Sequence, residues 1–480
     1  MMLRSLRPWN LVFVLLGEAA TLVYGQTPPN FRLRPSSQSQ HWVELAQHPG
    51  NPHIMLATSF VLRFDMVHIS ESFSATANGG LTWFGRDTIP IYPIGPPLFT
   101  KPAIDGNGRF MVCGNISVVA GLATSYSTDL GSTWSALSEI PGATNPDRPR
   151  IIADGVPSSP HVGRWYVVWA NFSAPLVSRV LMSHSTDGGA TWTQPSVVSP
   201  VASSGHHHQG ANACIGPEGE VYVVWANDTT NGGNSTEDSL GFACSTDGGV
   251  SWARATNRAD DMNGIRTGSF FHNTLRAEGY PRIAVDGTRG PRRGWIYVVA
   301  AEKNFPPYAM DVSDIVLHRS TDGGVAWTRG RVNQDTPGNG KYQYIPAITV
   351  DAAGGVSVVY YDSRNVATND SVEVFLSRSV DGGNTWTDIL VSEHRFTPRA
   401  IGTLGTGWPG DNVGVASTDS TLLVVWCSTA SGMKQVWGAF LPLVQTEVRF
   451  LDERTPMTVS LDQNYPNPFN PETNISFDLP

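Results

Sequence analysis

The sequence predicts an all-β chain, a β-propeller of four-stranded antiparallel blades, and three observations carry that expectation. One short pattern recurs six times, and self-similarity at intervals of this size marks a repeat architecture. Each copy follows a pair of short apolar segments of strand length. Helical periodicity is absent, while 48 Gly and 15 Trp among 480 residues suit many short strands joined by tight turns.

The pattern is a polar residue, Asp, a glycine turn, then Thr or Ser and a Trp. Its clearest copies are Ser127-Thr128-Asp129-Leu130-Gly131-Ser132-Thr133-Trp134 and Ser185-Thr186-Asp187-Gly188-Gly189-Ala190-Thr191-Trp192. Copies centred on Asp247 and Asp381 differ by one residue each. The copy at Asp322 has Ala326 in place of Thr, and the first has Asn78 in place of Asp. Paired glycines supply the positive φ of a tight hairpin. The carboxylate two residues earlier can accept the turn's N–H groups, and the Trp buries a large apolar body. These six residues are therefore read as structural.

Within each repeat a first strand such as Pro149–Asp154 and a second such as Trp165–Trp169 precede the third strand, the turn and a fourth strand that begins at the Trp. The Trp residues stand at 83, 134, 192, 252, 327 and 386, so the intervals are 51, 58, 60, 75 and 59 residues. The long interval places an insertion, Asn257 to Glu278, before the fifth blade. Asp411–Ala416, Leu422–Trp426 and Gln435–Phe440 add a blade without the turn pattern, closed by a strand near Phe31–Arg34. Seven blades are expected, with six as the alternative.

Around this ring, 1–25 reads as an export signal: Arg4 and Arg7 precede the apolar run Leu11–Leu16, and Val23-Tyr24-Gly25 fits a cleavage site. Residues 26–40 read as a linker, 41–445 as the propeller and 446–460 as a second linker. A net charge of −9 argues against nucleic acid as a partner. Cys214 and Cys244 are assigned to the first and third strands of one blade, about 9.6 Å apart, which predicts free thiols.

If first strands start at one face, every Asp turn lies at the opposite face, and ligands belong at the mouth where first strands begin. The residues placed there are Lys101, Asp147 and Arg148, His206 to Gln209, Glu278, Tyr280 and Arg282, Lys341 to Tyr344, Trp408 and Asp411. After the second strands come Asn171, Asn227 and Asp228, Glu302 and Lys303, and Tyr361 to Arg364. A solvated loop position or hydrogen bonding between blades is the other role open to each. Among these, His207, His208, Gln209, Tyr280 and Trp408 are candidate ligand contacts with Lys101. The three adjacent His residues alternate in direction, which is poor geometry for one metal ion. No motif asks for a metal or cofactor.

The six turns resemble the Asp-box of the bacterial neuraminidase repeat, and the likeness to sialidases covers about Trp42 to Leu443. It implies a glycoside hydrolase that releases a terminal acidic sugar from a glycan, and with the export signal the chain is expected to be secreted and to act as a monomer. An Arg clamp, a Tyr nucleophile and an Asp acid/base would carry out that hydrolysis. Candidates are Arg148, Arg282 and Arg364 for the clamp, Tyr344 or Tyr361 for the nucleophile, and Asp147, Asp362 or Asp411 for the acid/base. The Arg-Ile-Pro motif of sialidases is absent. Two other functions stay open: a non-catalytic glycan- or protein-binding propeller, and a polysaccharide lyase using a His of 206–208 with a Tyr. Residues 461–480, with Asn464-Tyr465-Pro466-Asn467-Pro468-Phe469, resemble the start of a type IX secretion sorting domain, which implies that secretion machinery as a partner.

Overall fold

The computed structural model describes residues 27–62, 69–89, 98–116, 121–174, 177–229, 236–266, 277–307, 312–398 and 412–443, with the short pairs 460–461 and 477–478. No helix occurs among them.

Seven four-stranded antiparallel sheets form the ring, six of them with their strands in chain order. Blade 1 runs Ser39–His48, Asn51–Leu62, Ile69–Thr76 and Phe84–Arg86. Blades 2 and 3 span Leu98 to Ile140 and Pro146 to Val197, and blade 4 spans His206 to Asp261. Blade 5 covers Arg282 to Arg331, and blade 6 Gln343 to Leu390. Blade 7 combines Gly414–Ser417, Thr421–Ser428 and Gln435–Pro442 with the N-terminal strand Asn30–Arg32, where Phe31 pairs with Gly438. The seventh blade therefore ties the start of the ring to its end. Each inner strand touches the inner strands of its two neighbours, and blade 7 touches blade 1.

Second strands read as unbroken apolar runs because both of their faces are covered. In blade 3, Trp165, Val167 and Trp169 pack toward blade 2 with Met111, Cys113 and Leu122. The alternate residues Tyr166 and Val168 pack toward blade 4 with Val221, Val223 and Trp225. Period-two alternation thus splits one strand between two layers of core.

The six Asp or Asn turns join third to fourth strands. Ser185 Oγ donates to Asp187 Oδ1 (2.7 Å) and accepts Gly189 N–H (2.8 Å). Thr191 adds its N–H to Oδ1 (2.9 Å) and its hydroxyl to Oδ2 (2.6 Å). Gly189 has φ +89°, and a Cβ there would lie 2.2 Å from Met111 Cε of the preceding blade. Trp192 Nε1 donates to Thr124 Oγ1, also in that blade, at 3.0 Å. Hydrogen bonds from Thr191 come first among the causes that hold the Asp187 carboxyl down at about 2. Asp129, Asp247 and Asp381 repeat the arrangement. Asn78 keeps the backbone bond from Thr82 (3.0 Å), and Ala326 leaves Asp322 with backbone donors at that place.

Cys214 and Cys244 pair in register with Tyr222 from its two sides, which puts them on first and third strands; all four cysteines are unbonded. In the second compact unit, Leu443–Pro480, Ser460–Leu461 pairs antiparallel with Phe477–Asp478.

Candidate functional site: the axial mouth

Pro146, at the start of its inner strand, pairs with Asn171 near the end of the second strand, and Asn171 pairs in turn with Arg179 on the third. The starts of inner strands and the ends of second strands therefore share one face, opposite the Asp turns.

Near that face five inner strands carry a register shift: between His41 and Glu44, Leu98 and Lys101, Asp147 and Arg150, Gln209 and Asn212, and Tyr344 and Ala347. Inside four of these bulges one residue turns left-handed: Trp42 (φ 54°), Arg148 (47°), Gly210 (65°) and Ile345 (57°). Bulges re-aim side chains, and these do so at matching places. Gly210 must lack a side chain, since a Cβ would meet Tyr280 at 2.4 Å.

The first residues paired again are Glu44, Lys101, Arg150, Asn212 and Ala347, opposite Thr58, Cys113, Val168, Val224 and Val359. In blade 5, Arg282 opposes Val299 at the same distance from its Asp turn. Six blades thus each place one residue in a single tier around the axis. Arg148 and Arg282, both expected where first strands begin, do not stand at matching places. Arg150, not Arg148, is level with Arg282, because pairing resumes at Arg150 after the bulge that begins at Asp147.

The tier is charged. Lys101 Nζ and Arg150 Nη1 (2.7 Å) both bind the Glu44 carboxylate, and Arg282 acts on it through its charge. Burial alone would raise the Glu44 carboxyl; the three cations overcome it and hold it at about 2. Burial lowers the Lys101 ammonium, Glu44 opposes that, and Arg282 and Arg150 push the same way as burial. Arg282 Nη2 also donates to Asn412 Oδ1 at 2.6 Å. Near Lys101, burial pushes the Glu71 carboxyl up to about 8, with Thr100 and Lys101 acting the other way. Burial therefore biases Glu71 toward its neutral form, which limits how far it offsets the tier's charge.

A second buried network joins blades 3, 4 and 5. Arg148 pairs with Glu278 and lies over the Tyr280 ring, 4.9 Å from its centroid. Arg266 Nη1 donates to the Tyr280 hydroxyl (2.7 Å), to Asp228 Oδ2 (2.6 Å) and to Gln209 Oε1. Gln209 Nε2 passes a 2.6 Å bond on to Asp147 Oδ2. Glu237 accepts Gly279 N–H (2.6 Å) and Arg266 N–H (3.0 Å). Burial raises both the Asp228 and Glu237 carboxyls, and the charge of Glu237 adds to the rise at Asp228.

The three His residues go three ways. His207 Nε2 sits 3.6 Å from Asp228 Oδ2, and burial followed by Arg266 lowers its imidazole to about 4. His208 Nδ1 meets Ser199 Oγ at 2.9 Å, and His206 Nε2 meets Asp238 Oδ2 at 2.9 Å.

Other residues expected at the mouth lie elsewhere. Arg364 is held inside blade 6 by Asp362 (2.7 Å) and Asp388 (2.5 Å), with Phe375 beneath it at 4.2 Å. It does not join Arg148 and Arg282, so the three do not form one clamp. Burial raises the Asp362 carboxyl to about 6, yet its oxygens are taken by Arg364. Tyr361 is buried with its hydroxyl between Cys427 N (3.3 Å) and Cys427 O (3.2 Å), a bond between blades 6 and 7. Tyr344 is fully buried, its ring edge-on to Tyr361 at 5.7 Å, and burial pushes its hydroxyl up. The structure brings neither tyrosine to the mouth as a nucleophile. Asp411 and Trp408 fall outside the described residues.

Glu44, Arg150, Glu71, Glu237 and Arg266 escaped the sequence reading. Only the repeated Arg148-Pro149-Arg150 and Tyr280-Pro281-Arg282 pattern signalled Arg150.

No family model and no curated sequence matches this chain. Solved structures do. An ulvan lyase, described as a new polysaccharide lyase family PL25, shares 10% identity over 84% of this chain and 94% of its own, with a TM-score of 0.51. The same kind of enzyme bound to -[GlcA(1-4)Rha3S]- gives 11% and 0.50 over the same shares. A Dyadobacter fermentans protein of unknown function gives 11% and 0.47, covering 88% of this chain and all of its own. At these identities the likeness is one of fold.

Proposed function

We propose that this chain is a glycan-acting propeller that seats an acidic saccharide at the axial mouth. One observation carries the reading: cationic side chains from blades 2, 3 and 5 converge on a single carboxylate from blade 1. Arg150 keeps about a quarter of its side-chain surface exposed, so the tier is reached from solvent. A carboxylate or sulfate entering there gains charge-assisted bonds, and guanidinium groups suit its flat, two-oxygen edge. The fold shared with an ulvan lyase is compatible with this class of ligand. The export reading of 1–25 and the sorting-domain likeness of 461–480 support action outside the cell.

Glycoside hydrolysis is the second reading within this class. Asp147 favours it: a partly exposed carboxylate at the mouth, held by Gln209 beside the Arg148–Glu278 pair. The Tyr nucleophile of the sialidase route lacks such support.

Calorimetry with a uronic acid disaccharide, sialyllactose and neutral lactose tests the reading. Binding is expected for an acidic sugar only. Arg282→Ala should weaken it about tenfold or more while the melting temperature stays near wild type. A stability loss with unchanged affinity would make Arg282 a structural strut and overturn the assignment. Release of reducing sugar in the same samples would add catalysis.

A further inference from the structure

Beside the mouth, over blade 3, lies a groove of about 640 Å³. Its inner end is Asn171, which is paired in register with Pro146, next to Asp147 on the inner strand. Val177 to Arg179, at the start of the third strand of blade 3, form one wall, and Val201 to His206, leading into blade 4, form the other. The volume falls within the range of ordinary ligand clefts.

The lining is built and chemically mixed. Trp169 Nε1 holds the Asn171 side-chain oxygen at 3.1 Å. Ser178 Oγ donates to His208 O (2.6 Å) and accepts His208 N–H (2.7 Å), closing the floor. Asn257 Nδ2 fixes Val201 O at 2.7 Å, and Asp238 with Ser204 O fixes the His206 ring. Against these polar groups stand two apolar surfaces, Val177 and Val201, 54% and 67% exposed. Arg179 lines the groove, is exposed, and has no hydrogen-bond or ion-pair partner among the described residues. Apolar walls suit the C–H faces of sugar rings, fixed polar groups suit hydroxyls, and an unpaired guanidinium suits a second anionic group.

We propose that this groove is a subsite for the following units of an acidic polysaccharide, with Arg179 meeting an anionic group one or more sugars away from the tier. This rests on the axial reading and deepens it: the ligand is a polymer carrying repeated charges, not an isolated terminal sugar.

The test is a size ladder on the whole chain, with uronic acid oligosaccharides in one arm and sulfated oligosaccharides in the other, from disaccharide to hexasaccharide. Affinity should rise about fivefold or more from the shortest to the longest member of the arm that fits. Arg179→Ala should remove most of that rise and leave disaccharide affinity unchanged, whereas Arg282→Ala should weaken every length alike. Arg179→Glu should lower affinity for long members further, by repulsion. Affinity independent of length, or a length gain that survives both Arg179 changes, would overturn the groove and leave the axial site standing. Absence of binding in both arms would overturn the axial reading and the groove with it.

Discussion

His318 shows how a single residue is fixed by its surroundings. Its ring is fully buried between Asp260 Oδ2 (2.8 Å) and Glu302 Oε1 (2.7 Å). Burial disfavours the imidazolium, but the two carboxylates outweigh it and raise the group to about 9. Asp260 belongs to the outer strand of blade 4, and Glu302 and His318 to blade 5, so the His318–Asp260 bond ties two blades together. A raised pKa stabilises fully below the unfolded value near 6.5 and loses that contribution as pH rises through about 9. A shift of this size corresponds to about 3 kcal/mol. Chemical denaturation of the wild type from pH 6 to 10 should therefore show stability falling through the upper part of that range. His318→Gln should be less stable at pH 6 and should flatten that fall; an equal fall in the variant would assign the pH dependence to other groups.

At the scale of the element, the Asp turn and the bulge differ in how well sequence reveals them. A turn is local: Ser185, Asp187, Gly189 and Thr191 lie within seven positions, so both the motif and its hydrogen bonds can be reasoned from neighbours in the chain. A bulge is a relation between strands. Whether Arg148 or Arg150 stands level with Arg282 depends on where pairing resumes across the sheet, and no local pattern states that. Glu71 escaped for a similar reason: it sits on a third strand and comes within reach of the Lys101 charge of the next blade only when the two blades pack. The turn also gives a prediction. Asp187→Ala deletes the acceptor for three bonds at an exposed site, and should cost about 1–2 kcal/mol without changing ligand affinity. Thermal denaturation alongside calorimetry would check both parts, and a variant of wild-type stability would show the carboxylate to be dispensable to the hairpin.

For the whole molecule, closure of the ring is what assembles the site. Glu44, Lys101, Arg150 and Arg282 come from four blades, spread over 239 positions of chain, and meet because their inner strands share one tier. Seven blades and the N-terminal closing strand were legible from repeat count and strand patterning. Which charged residues face one another was not, since that follows from bulges and from ring closure. Arg364 illustrates the gap: chain position suggested the mouth, but Asp388 on the outermost strand of blade 6 holds it within its own blade. The measurement that bears most directly on the axial site is a crystal structure of the protein with an acidic oligosaccharide bound. A carboxylate or sulfate of the sugar is expected within hydrogen-bond reach of Arg150, Lys101 or Arg282. An ordered saccharide whose anionic group lies at the Asp-turn face, or away from all three cations, would contradict that placement.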